Sequence, residues 1–174
     1  MVLIELDKVR RESIRRASDL MKEAGWPKKA ATIQDLLEKG QISIDYDLLN
    51  DDPQPTAVTY PGKSPQLITL NPNLPMQKGS PAQPLGRNDP ELVTLAGTLI
   101  HEADHAHGHG EIEAYGEQID FYQAINEQFK KYFPDSSVET AKAIEDRKKK
   151  SEANAEAQRK KFIKEGEPKH TSDK

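Results

Sequence analysis

Nine of the twelve prolines fall between residues 53 and 90. Proline fixes φ and lacks a backbone donor, so helix interiors and central strands exclude it. Long helices are therefore confined to the residues before Pro53 and from Pro90 onward. The middle of the chain must be short strands and irregular backbone. A length of 174 residues fits one domain with appended segments. With 34% apolar and 31% charged residues the core is modest.

Leu6, Val9, Ile14, Ala17, Leu20 and Met21 fall on one side of a 3.6-residue helix, which Gly25-Trp26-Pro27 should end. Ile33, Leu36 and Leu37 mark a shorter helix closed by Gly40. These two helices form an N-terminal segment, 1–40. Gln41–Tyr46 then alternates polar and apolar residues. Ala57–Tyr60 and Gln66–Leu70 flank the turn-rich Pro61–Pro65 and read as a hairpin. Residues 71–89 form a long irregular loop, placed to act as a lid or specificity loop. Asp89 can cap the next helix, Pro90 suits its first position, and Glu91 favours its positive end. That helix should run to about His107 and be apolar around most of its circumference. A further helix should start near Gly110 and end before Pro134, closing a core segment, 41–134. Residues 135–174 read as a charged helix fraying into disorder. The fold class is α+β: mainly helical, with a small antiparallel hairpin packed on the apolar helix.

The absence of cysteine excludes disulfides, thiolate metal sites and thiol nucleophiles. Any metal must be held by imidazole and carboxylate. The formal charge of −4 gives no electrostatic case for nucleic acid. Residues 138–174 hold 11 Lys/Arg against 8 Asp/Glu, so the acidic excess lies elsewhere. The start lacks the apolar core of a secretory signal, and no run approaches the roughly 20 apolar residues that span a bilayer. A cytoplasmic protein without a membrane partner is the expectation.

The apolar helix carries His101-Glu102-Ala103-Asp104-His105. Residues four apart share a helix face, so His101 and His105 can put two imidazole nitrogens on one ion. Glu102, next to the first, can reach a water beside that ion as general base. Burying His and Glu in an apolar helix is costly unless they are paired or coordinated. A catalytic zinc takes a third protein ligand and leaves one position open. His107, His109, Glu111 and Glu113 are candidates for that third ligand. The two histidines sit too near the Gly108/Gly110 bend to reach back easily. Glu113 is preferred, because Gly116 on its face allows a close helix approach. Glu117 one turn on could accept a hydrogen bond from a ligand histidine. Glu111 stays open, lying nearer the centre of the apolar face. Tyr115 and Tyr122 are candidates to stabilise an oxyanion or simply to pack. His170 has no assigned role.

Leu95–Tyr122 resembles the zincin metallopeptidases, and most closely their gluzincin branch, in which the third ligand is a Glu on a following helix. Glu113-Ala114-Tyr115-Gly116-Glu117 is similar to that branch's pattern, and Glu111-Ile112-Glu113-Ala114 to small ImmA-type zinc peptidases, or minigluzincins. The resemblance implies one Zn2+ on His101, His105 and Glu113, with Glu102 as base and proton shuttle. It also implies a zincin-like core, a peptide or protein substrate, and Gln66–Leu70 as the edge strand that aligns it. Two other readings use the same residues: a non-catalytic zinc-binding interaction module, and a zinc hydrolase acting on a non-peptide amide.

Overall fold

The computed structural model describes residues 2–60, 66–134 and 138–162. Their secondary structure is six α-helices, one 3-10 turn and a four-stranded sheet. The connector 61–65, His170 and the end of the charged tail lie outside the described residues.

Helix α1 (Lys8–Ala24) begins where the Asp7 carboxylate accepts the Arg10 N–H at 2.8 Å. It ends at Gly25, whose φ of 113° is costly for any residue with a Cβ. Ile14, Ala17, Leu20 and Met21 are its buried stripe. Helix α2 (Pro27–Glu38) starts on proline and buries Ile33, Leu36 and Leu37.

The strands are β1 (Leu3–Glu5), β2 (Ile42–Asp45), β3 (Ala57–Tyr60) and β4 (Leu67–Leu70), in the order β1-β2-β4-β3. The expected hairpin is present as the antiparallel pair β3–β4, but the sheet around it is mixed. β2 lies parallel to β4, and the exposed β1 pairs antiparallel to β2. One expectation is corrected by this order. β4, the Gln66–Leu70 strand, is interior, and β3 is the edge. Ile42, Ile44, Ile68 and Leu70 stand in register and are all buried, and burying that continuous row places β2 against β4.

The proline-rich stretch carries only an isolated bridge, Lys78 to Gln83. It is nevertheless anchored on α1. The Ser13 hydroxyl donates to the Met76 carbonyl at 2.6 Å and accepts from the Leu85 N–H at 2.9 Å. Arg16 donates to the Leu85 carbonyl at 2.9 Å. Leu74, Met76 and Leu85 are buried, while residues 77–83 between them are exposed.

Helix α3 (Pro90–Ala106) is capped by Asp89, which accepts the Glu91 N–H at 3.1 Å. It is apolar nearly all round, as befits a central helix. Helices α4 (Glu111–Glu127), α5 (Phe129–Tyr132) and α6 (Val138–Phe162) follow. α3 and α4 pack tightly at Gly97, where an added Cβ would lie 2.5 Å from Cζ of the buried Tyr122. Gly116, expected to allow a close helix approach, is buried on α4. Most of the segment expected as a solvated tail is α6, which packs against α4 and buries Ile144, Ser151 and Ala155. A single hydrophobic cluster runs from Leu6 through α1, α2, the sheet, α3 and α4 to Ile144. The three segments read from the sequence share that core. No helix is long and apolar enough to cross a membrane among the described residues.

Candidate metal centre

The i, i+4 spacing on α3 places the His101 and His105 rings edge to face, with centroids 4.8 Å apart. Their Nε2 atoms face one another at 3.1 Å. Gly108, at φ 88°, turns the chain, and α4 then returns alongside α3. The first residue of α4 is Glu111. Its two carboxylate oxygens lie 3.3 Å from His101 Nε2 and 3.0 Å from His105 Nε2. These three side chains are close enough to hold a metal ion.

Glu113, the expected third ligand, does not join them. It lies with Asp104 and His109 in a second cluster. Successive α-helical residues are about 100° apart, so Glu111 and Glu113 point to nearly opposite sides of α4. The rotation of α4 is set by its buried aromatics. Phe121 meets the Trp26 ring edge-on at 5.6 Å, and Tyr122 lies against Gly97. Glu117, one turn beyond Glu113 along α4, is buried and accepts the Trp26 indole N–H at 2.8 Å.

The donor chemistry fits zinc. With Zn–N bonds of about 2.0–2.1 Å, two ligands on a tetrahedral ion stand about 3.3 Å apart. The two Nε2 atoms, 3.1 Å apart, match one edge of such a tetrahedron, and the Glu111 carboxylate faces both, one oxygen 3.3 Å from His101 and the other 3.0 Å from His105. The tautomer is prepared for His105, whose Nδ1 lies 2.9 Å from the His109 carbonyl. An N–H there leaves the Nε2 lone pair directed at the centre. Nδ1 of His101 is buried with no hydrogen-bond partner.

Without a cation the triad is held by charge. Burial opposes the charged form of His105. The Glu111 hydrogen bond, the His109 carbonyl and the negative charges of Glu102 and Glu111 outweigh it and lift the imidazole to about 9. Hydrogen bonds from His101 and His105 hold the Glu111 carboxyl well below the usual carboxylate range.

The second cluster is built differently. His109 Nδ1 lies 2.7 Å from Asp104 Oδ1 and 3.4 Å from Glu113. Lys29 of α2 puts its ammonium 3.2 Å from the same Asp104 oxygen, both side chains being fully buried. This cluster already contains its cation. By fixing the His109 ring it also fixes the backbone carbonyl that meets His105. His107, another candidate ligand, faces away and meets the Thr32 hydroxyl of α2 at 2.7 Å.

Glu102 is buried on the sheet side of α3, where its Oε2 accepts the Thr59 hydroxyl of β3 at 2.6 Å. Thr59 carried no signal in the sequence, since nothing local links a strand threonine to a helix 43 residues on. The Tyr115 ring lies 4.4 Å from the His101 ring. Burial raises its phenol to about 12, helped by the charges of Glu111 and Glu102 and opposed by Asn154 of α6. Tyr122 is raised to about 12 by complete burial, opposed by the Gln118 amide that bonds its hydroxyl, and it serves the core.

A scan against protein-family models returns no match for this chain, and searches of curated proteins and of solved structures likewise return none.

Proposed function

We propose that this chain is a zinc-dependent peptidase whose metal is held by His101, His105 and Glu111, with Glu102 as general base. The observation that carries the reading is the pair of imidazole nitrogens 3.1 Å apart, each within 3.0–3.3 Å of one oxygen of the Glu111 carboxylate, with a buried carboxylate on the neighbouring residue Glu102. Imidazole and carboxylate ligands suit zinc. Among the described residues the group numbers three, which is the ligand count of a catalytic rather than a closed structural site.

A zinc ion in this cradle supplies Lewis acidity toward a carbonyl and a water acidic enough to ionise near neutral pH. Glu102 takes the proton of the attacking water and delivers it to the leaving amine. The phenol of Tyr115, against His101, stays protonated at neutral pH and can donate to charge developing on the carbonyl oxygen. β3 is the sheet edge beside α3, so an extended peptide can be aligned by strand addition to it. That alignment favours a peptide over another amide.

The test is metal analysis paired with a Glu102→Gln variant. The wild-type protein should carry about one zinc per chain and cleave members of a peptide library. Glu102→Gln should retain the zinc and lose about 10²- to 10⁴-fold in turnover. A fully active variant would remove Glu102 from the reaction.

A further inference from the structure

The core-facing row of the β3–β4 hairpin is Ala57, Thr59, Ile68 and Leu70, with Thr59 directly opposite Ile68. Three of these four side chains are apolar, and valine would fill the Thr59 position with the same shape. A hydroxyl buried there must find an acceptor or it destabilises the fold. Both of its acceptors belong to one residue. Oγ1 of Thr59 lies 2.6 Å from Glu102 Oε2 and 3.1 Å from the Glu102 backbone carbonyl. A hydroxyl carries a single hydrogen. The shorter contact, to an acceptor-only carboxylate oxygen, takes it.

We infer that Thr59 is a positioning residue of the site, whose hydroxyl holds one carboxylate oxygen of Glu102 and so aims the other at the metal centre. The inference rests on the proposed metal site and adds the means by which its base is oriented. A glutamate side chain has three rotatable bonds, and a base misplaced by about 1 Å can lose about a hundredfold in rate. The hydroxyl ties the base to the sheet, on β3, an edge strand among the described residues. A peptide adding to β3 would thus be aligned by the same strand that orients Glu102. Turnover should therefore respond to Thr59 more than substrate affinity does.

The test compares Thr59→Val and Thr59→Ser, with Glu102→Gln as reference, in the full chain. Cobalt(II) replaces zinc as a probe, because its visible d–d bands report the immediate surroundings of the ion and need no substrate. The spectrum of Thr59→Val should move away from wild type in the direction that Glu102→Gln moves. Thr59→Ser, which keeps the hydroxyl, should stay near wild type. On a fluorogenic peptide that the wild type cleaves, Thr59→Val should lower kcat by about tenfold to a hundredfold with KM changed less than about threefold. Thr59→Ser should recover most of that loss. A Thr59→Val protein with wild-type cobalt spectrum and wild-type kcat would overturn the inference. If the wild type itself cleaves nothing, the peptidase reading fails, and the cobalt spectra alone still decide whether Thr59 orients Glu102. Thermal melting of each variant separates these outcomes from loss of fold.

Discussion

Two histidine–carboxylate clusters lie side by side where α3 turns into α4. His101, His105 and Glu111 form one, and Asp104, His109 and Glu113 the other. Both draw on α3, the turn and α4, but the first holds two imidazoles and one carboxylate and the second one imidazole and two carboxylates. The first brings two imidazole nitrogens within 3.1 Å of each other, with only a carboxylate opposite them. The second holds Lys29 against Asp104, a fully buried ammonium from a helix more than 70 residues away in sequence. Where a protein cation is already present, a metal ion would have to compete with it. Where two imidazoles face one carboxylate, a metal ion has a proton to displace. Metal-binding capacity is thus decided by what the rest of the fold brings to the cluster.

Substitutions that exchange the roles of the two clusters would break this comparison. The largest effect is on zinc affinity. Glu111→Ala should weaken it by more than about a hundredfold, while Glu113→Ala stays within about tenfold of wild type. Isothermal titration with zinc reads both, and a reversed order would assign the third ligand to Glu113. Next is folding stability. Asp104→Ala removes a fully buried carboxylate that meets both Lys29 and His109, at a cost of about 1–3 kcal/mol in urea unfolding. Replacing the pair together, Lys29→Met with Asp104→Leu, should recover most of that loss. If it does not, Asp104 acts chiefly through His109.

Gly97→Ala tests the helix contact on which both clusters depend. The new methyl meets the fully buried Tyr122 ring, which has no room to yield, so overpacking should cost about 1–3 kcal/mol. Zinc affinity should fall as well, because α4 carries Glu111.

The smallest effect is in the pH dependence of the metal-free protein. His105 is raised from its ordinary 6.5 to about 9, so its contribution to stability is complete below 6.5 and disappears as pH rises through 9. Glu111 is lowered from its ordinary 4.5, so its contribution is complete above 4.5 and disappears as pH falls below that. The pair therefore stabilises the metal-free fold most between pH 4.5 and 6.5. Melting curves with and without zinc should differ in shape above pH 6.5, since zinc binding requires neutral imidazole and expels the proton.

Features of the fold that depend on neighbours in sequence were legible before the structure. The Asp89-Pro90 start of α3, the glycine ends of α1 and α3 and the apolar circumference of α3 each rest on a few adjacent residues. The β3–β4 hairpin was legible for the same reason. β1 was not, because three exposed residues carry no alternation. The packing of α6 was hidden because its buried residues, Ile144, Ser151 and Ala155, include only one large apolar side chain and so form no apolar stripe.

At the site, the sequence alone determined that His101 and His105 share a face of α3, since a 3.6-residue period leaves no alternative. It also set Glu102 beside them. Three things were left to the tertiary structure: that Glu111 rather than Glu113 meets the histidines, that Lys29 occupies the second cluster, and that Thr59 reaches Glu102. Each depends on how one element is rotated or seated against another. That rotation is fixed by packing of distant side chains, Trp26 on Phe121 and Tyr122 on Gly97, which no local pattern encodes.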